Sequence, residues 1–251
     1  MSGHSKWSSI KHKKGAADAK RGKLFSKLTR AIIVAAKEGG GDPANNATLA
    51  AAIEKARSYS MPKDNIERAI AKGSGEGADA TSFEAIVYEG YGPEGVAVIV
   101  EALTDNKNRT AADVRHAFAK HGGSLGATGA VAWQFDRQGI VIVPSAGVDE
   151  DELFMAAADA GADDVSLDGD VFQVTSAPES LGAVRDAIET AGFTIDSAEL
   201  ALIPKNTVSV EDESAAKRVM RLIEALEDND DVQDVYANFD IPEQVLEAVA
   251  S

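Results

Sequence analysis

The stretch GSGEGADATS, residues 73–82, separates two sequences that repeat their apolar residues at different intervals. Glycines and small polar residues without periodicity cannot bury a face, so this stretch reads as a linker. Before it the interval is helical. In KRGKLFSKLTRAIIVAAKEGGG, Leu24, Phe25, Leu28, Ile32, Ala35 and Ala36 recur three and four residues apart on one face, and Gly39, Gly40 and Gly41 end the run. Asn46 is placed to cap a second helix through TLAAAIEKARSY, and Pro62 to open a third that ends at Gly73. Three short amphipathic helices predict a small bundle.

From Phe83 onward strands and helices alternate. FEAIVYEGYG and GVAVIVEALTD (95–105) read as strands, followed by a helix over 109–121 with Thr110 suited to its cap, and a strand AVAWQFD (130–136). Residues 139–204 then run β-α-β-β-α-β: GIVIVPS, a helix over 150–160, a hairpin of DVSLD and VFQVTSA across Gly169, a helix over 179–191, and TIDSAELALIP. That order is the ferredoxin-like split unit. NTVSVED, a helix over 214–226 and VQDVYANFD complete a second set together with residues 83–136. The expected fold is therefore α+β and multidomain. An N-terminal three-helix domain (1–75) precedes two ferredoxin-like α+β domains, of which 137–204 is inserted into one made of 83–136 plus 205–251. Three consecutive domains are the alternative, and pairing of 95–103 with 232–239 in one sheet separates the two.

Charge divides at the same linker. Residues 1–75 carry 15 basic and 6 acidic side chains, net +9, whereas the remainder carries 10 basic and 35 acidic, net -25. Beyond a Debye length of about 8 Å the acidic part scarcely cancels the field of the basic one, so a total charge of -16 does not forbid a polyanionic partner. Residues 1–15 hold few apolar positions and read as an arm, disordered or loosely docked. Lys20, Lys23, Lys27, Arg30 and Lys37 then line a face of the first helix, interrupted only by Val34. Lys and Arg gathered this way neutralise phosphates and release counterions; about six contacts would give a log–log salt slope near -5 on duplex DNA. The candidate contacts are His4, Lys6, Trp7, Lys11, His12, Lys13, Lys14, Lys20, Arg21, Lys23, Lys27 and Arg30. Trp7 can stack on an unpaired base, although packing into the bundle is its favoured role, and His4 and His12 can donate to phosphate. Asn106, Lys107, Asn108 and Arg109, between a strand and a helix, are secondary candidates or plain caps.

Other chemistries find no support in the residues. The chain has no cysteine, which removes disulfides and thiolate sites, and no apolar run approaches the ~18 residues of a membrane span. Polar residues occupy the place of a leader's apolar core, so a cytoplasmic location is expected. YEGYGPEG (88–95) reads as a hairpin turn and not a phosphate cradle, and HGGSLGATGAVAWQF (121–135) as a loop ending in the core aromatics Trp133 and Phe135. His116 and His121 lack partners at metal-ligand spacing, and the acidic runs DEDE (149–152) and EDNDD (227–231) lack calcium-loop spacing, so both runs read as solvated faces. No nucleophile-and-base cluster or dinucleotide fingerprint is present. No enzyme activity, cofactor, metal, small-molecule substrate or membrane partner is expected.

GHSKWSSIKHKKGAADAKRGKLFSKL, GGGDPANNATLAAAIEKA, MPKDNIERAIAKG, YEGYGPEGVAVIVEALTDNKNRTAADVRHAFAKHGGSLG and AVAWQFDRQG together resemble the YebC/PmpR family, whose mitochondrial members are called translational activators of cytochrome c oxidase. The resemblance implies a helical first domain and two α+β domains. It implies a cytoplasmic, non-enzymatic regulator of gene expression, described either as a transcriptional regulator binding DNA or as a ribosome-associated translation factor that binds ribosomal RNA and relieves stalling at consecutive prolines. The residues that carry over as nucleic-acid contacts are those from His4 to Arg30. Ala31 stands where an acidic residue is expected after KLTR, and Ala130 where serine is usual. A protein-interaction module whose basic arm folds onto its own acidic body is the competing class.

Overall fold

The computed structural model describes residues 18–75, 83–242 and 244–246. Helix α1 (Asp18–Gly39) packs against α2 (Ala47–Ser58) and α3 (Lys63–Gly73). Its apolar stripe does this: Leu28, Ile32, Ile33, Ala35 and Ala36 close a core with Leu49, Ile53 and Ala56 of α2, Met61, and Ile66 and Ala69 of α3. Val34, expected on the cationic face, is buried as well. Asn46 joins the first two helices. Its Oδ1 accepts the Leu49 N–H at 3.0 Å as the N-cap of α2, while its Nδ2 donates at 2.8 Å to the carbonyls of Ala35 and Gly40 at the end of α1. Gly39 lacks a Cβ where one would strike that amide.

Two four-stranded antiparallel sheets follow. The first runs β3-β1-β2-β9, from β1 (Glu84–Tyr91), β2 (Ala97–Thr104), β3 (Ser124–Leu125) and β9 (Val232–Ala237). β2 pairs with β9 from Val98↔Ala237 to Ala102↔Val232, so strands from near both ends of the body lie side by side in one sheet, with β9 at its edge. Helices α4 (Lys107–Lys120) and α7 (Glu213–Glu227) cover one face, burying Val114, Phe118, Val219, Leu222, Ile223 and Leu226 against Val98, Val100 and Val235. Gly90 leaves room for the Phe118 ring, which a Cβ would approach to 2.8 Å. A short parallel pair, β8 (Val208–Ser209) with β10 (Phe239–Asp240), lies beside this core.

The second sheet runs β5-β6-β4-β7, from β4 (Phe135–Pro144), β5 (Ala162–Asp168), β6 (Val171–Ser176) and β7 (Ser197–Pro204), with α5 (Glu150–Ala158) and α6 (Leu181–Thr190) on one face. This is the strand order of a split βαβ unit. Between the sheets Ala97, Ile99 and Tyr236 meet Val131, Phe135, Ala201 and Leu202, so Ala97–Val100 of β2 is buried on both faces.

Two expectations need correction. Residues 130–136 do not form a strand of their own. Residues 132–134 make one 3₁₀ turn, and a single strand begins at Phe135 and continues to Pro144. The cause is Glu89, a buried carboxylate on β1 that accepts the N–H groups of Gly129, Val131 and Ala132 at 2.7–2.8 Å and so takes those donors away from any ladder. Phe135 is in the core as expected, but Trp133 is 65% exposed, and its indole N–H and the Tyr91 hydroxyl both donate to the Ala130 carbonyl.

Candidate nucleic-acid interface

Of the candidate contacts, His4, Lys6, Trp7, Lys11, His12, Lys13 and Lys14 lie outside the described residues, as do the side chains of Lys20 and Arg21. The three that are described share one neighbour. Helical spacing puts Lys23, Lys27 and Arg30 along one edge of α1, and that edge lies against the C-terminal end of α7. Lys23 Nζ donates to the Asp228 carbonyl at 3.2 Å with the Asp228 carboxylate at 3.6 Å, and Lys27 Nζ donates to the Glu227 carbonyl at 2.6 Å. Arg30 donates to the Asp230 carbonyl and to the Asp231 carboxylate, the latter at 2.9 Å, and its guanidinium sits 5.4 Å from the centre of the Phe83 ring. The arrangement has a simple electrostatic cause. The last carbonyls of a helix carry the negative end of its dipole, and cations capping them are stabilised.

The run EDNDD is therefore not merely a solvated face. Asp231 is 3% exposed and gathers both candidate sets. Besides Arg30, its carboxylate accepts from Arg109 Nη2 at 2.7 Å and has the hydroxyls of Thr110 and Thr104 at 2.7 and 3.2 Å. Burial pushes the Asp231 carboxyl up, but the hydrogen bonds from Arg109 and Thr110 and the charges of Arg109 and Arg30 outweigh it and hold the group below its ordinary value. Arg109, held also by Asp105 at 2.9 Å, is stabilised in its charged form by those bonds. Asn106 caps α4 by accepting the Arg109 N–H at 3.1 Å, the place expected of Thr110, whose hydroxyl is committed to Asp231. Lys107 pairs with Glu84, and Asn108 is exposed.

A second seam joins α2 to both sheets. Lys55 Nζ lies 2.9 Å from Glu199 on β7 and 3.6 Å from Asp234 on β9, and Arg185 on α6 reaches Glu54 at 2.6 Å. Loss of hydration lowers the Lys55 pKa, but the two carboxylates raise it further, so the ammonium is held charged. Sequence reasoning missed Asp231, Lys55 and Glu89 because each acts on partners remote in the chain. Among the described residues no group of three or more His, Cys, Asp and Glu is placed to hold a metal ion, and no helix is long and apolar enough to cross a membrane.

A basic helical unit clamped to the acidic end of an α+β body, with two sheets sharing an apolar seam, defines a class of three-part α+β proteins. A model described as the TACO1/YebC protein N-terminal domain matches residues 5–76, and one described as the TACO1/YebC second and third domain matches residues 83–239. The chain belongs to the TACO1/YebC family. It is 59% identical over 250 residues to a protein of Rubrobacter xylanophilus and 53% identical over 251 residues to one of Dictyoglomus turgidum, each named "Probable transcriptional regulatory protein", with 100% of both chains covered. A crystal structure of a conserved hypothetical protein from Aquifex aeolicus is similar at a TM-score of 0.83 and 50% identity, covering 91% of this chain and 94% of that one.

Proposed function

We propose that the protein is a non-enzymatic, cytoplasmic regulator of gene expression that holds nucleic acid, DNA in the first instance, through the basic segment His4–Arg30. The observation that carries this reading is the partition of charge, net +9 over residues 1–75 against -25 over the rest. The names of the relatives, which describe transcriptional regulation, support it. The test is a titration of the full chain with duplex DNA and with single-stranded RNA across a range of salt. In the Lys11→Ala, Lys13→Ala, Lys14→Ala variant, affinity falls and the salt slope flattens by about 0.7–0.9 per contact removed. Equal affinity of wild type and variant at matched salt refutes the reading. The relative response to DNA and RNA decides between a transcriptional role and a ribosomal one.

A specific contact favours a second reading. Lys23, Lys27 and Arg30 engage the chain's own Glu227–Asp231, as a protein-interaction module with an internally docked basic helix requires. In that case the triple variant leaves polynucleotide binding untouched and loosens the fold instead.

A further inference from the structure

Ten Lys and Arg follow residue 75, and seven of them sit on α4 and α7: Lys107, Arg109, Arg115, Lys120, Lys217, Arg218 and Arg221. In a body of net charge -25 that concentration on two neighbouring helices is not what uniform scattering gives. Three of the seven are neutralised, Lys107 by Glu84, Arg109 by Asp105 and Asp231, and Arg218 by Glu94. Among the described residues no carboxylate pairs with Lys120, Lys217 or Arg221, and all three are exposed.

The fold brings these cations to one end of the helix layer. α4 and α7 pack side by side over the first sheet, and Gly92, in the turn after β1, lies against Leu222, the residue after Arg221. Gly123, two residues beyond the His121 cap of α4, lies against the backbone of Tyr91 and Gly92, and Arg218 reaches Glu94 of the same turn at 3.0 Å. At about 100° per residue on α7, Lys217, Arg218 and Arg221 fall within one arc of about 100°, and Glu213 and Glu224 border that arc on the Lys217 side. Burial pushes the His121 imidazole pKa down, and Lys120, Arg221 and His116 push it further, as an uncompensated positive field requires.

We propose that the surface formed by His116, Lys120, His121, Lys217 and Arg221 is a second binding site for the phosphate backbone of nucleic acid, continuing the track begun by α1. This rests on the function proposed above. Continuity argues for one extended polyanion. Lys23 meets Asp228, seven residues and about 10 Å along α7 from Arg221, a span of about three nucleotides of one strand.

The experiment compares the full-length wild type, Lys120→Gln/Arg221→Gln, the charge-keeping Lys120→Arg/Arg221→Lys, and the triple arm variant above. Binding of a 20-nucleotide single-stranded RNA and of duplex DNA is followed by fluorescence anisotropy at several salt concentrations, with poly-glutamate as a second probe. The glutamine variant is expected to bind more weakly, with a salt slope shallower by about 1.4–1.8, and the charge-keeping variant to match wild type. If the glutamine variant keeps the wild-type slope while the arm variant loses it, this inference is overturned and the proposed function stands. If wild type binds neither nucleic acid, both fall. A loss confined to poly-glutamate assigns the surface to an acidic protein segment and overturns the inference.

Discussion

Asn46 and Glu89 are both polar, both buried, and differ in how visible their roles are from sequence. Asn46 caps a helix that starts at the next residue, a local relation legible without any structure. Its second role, closing the end of α1 with the other half of the amide, is not legible, because it depends on the turn geometry of the intervening glycines. Replacing Asn46 by Ala removes the cap and orphans two carbonyls, for an expected loss of about 1–3 kcal/mol from the helical unit. Asn46→Ser keeps a capping acceptor and loses only the amide donors, so it recovers part of that loss, whereas Asn46→Asp sets an anionic oxygen against the Ala35 and Gly40 carbonyls and does not; amide exchange across 35–50 measures each. Glu89 gave no local signal, since its partners lie some 40 residues on, and so the strand expected at 130–136 was misplaced. Burial raises its pKa, three backbone N–H groups lower it, and the lowering prevails. A carboxylate whose folded pKa is depressed stabilises fully above its unfolded value, here ordinarily 4.5, and stops doing so as pH falls through the folded value. The loop is therefore expected to open in acid below the ordinary carboxylate range, and Glu89→Gln to show that opening already at neutral pH. Trp133 fluorescence in a Trp7→Phe background reports it.

At the scale of elements, the contact of α1 with the end of α7 contains interactions of unequal weight. Lys23 and Asp228 are both largely exposed, and such pairs contribute a few tenths of a kcal/mol. Asp231 is buried with two arginines and two hydroxyls around it, so Asp231→Ala strands buried donors and cationic heads together and is expected to cost about 3 kcal/mol in urea unfolding. Lys23→Ala in the same assay is expected to change stability by less than about 0.5 kcal/mol. The two helices and their amphipathic patterns were readable from spacing, as were the elements of the second sheet. The meeting of their charged faces was not, because a run of five polar residues looks the same whether it faces water or a helix. Only the fold distinguishes Asp231 from Asp230.

For the whole molecule, the same charge partition that suggests a polyanionic partner also bears on how the parts hold together. A basic front and an acidic rear were legible in composition, and most of the linker expected at 73–82 lies outside the described residues; that β2 pairs with β9 required tertiary structure, since strand partners far apart in the chain leave no local mark. Ion pairs join the helical unit to both sheets: Lys23–Asp228, Arg30–Asp231, Lys55–Glu199, Lys55–Asp234 and Glu54–Arg185. Salt acts on this design in two opposed ways. It screens the attraction between the units, and it also screens repulsion among the 35 acids of the remainder. Raising salt from about 0.05 to 1 M, where the Debye length shrinks to about 3 Å, is expected to raise the unfolding midpoint of the acidic body. Over the same range the helical unit should separate from it. The absence of cysteine permits site-specific labels at Ala51→Cys and Gly182→Cys, so that a distance between α2 and α6 can be followed by energy transfer while circular dichroism follows folding. A lengthening distance with unchanged secondary structure is the expected result. A constant distance through 1 M salt would mean that apolar packing around Phe83, which seats against the helical core, holds the units together instead.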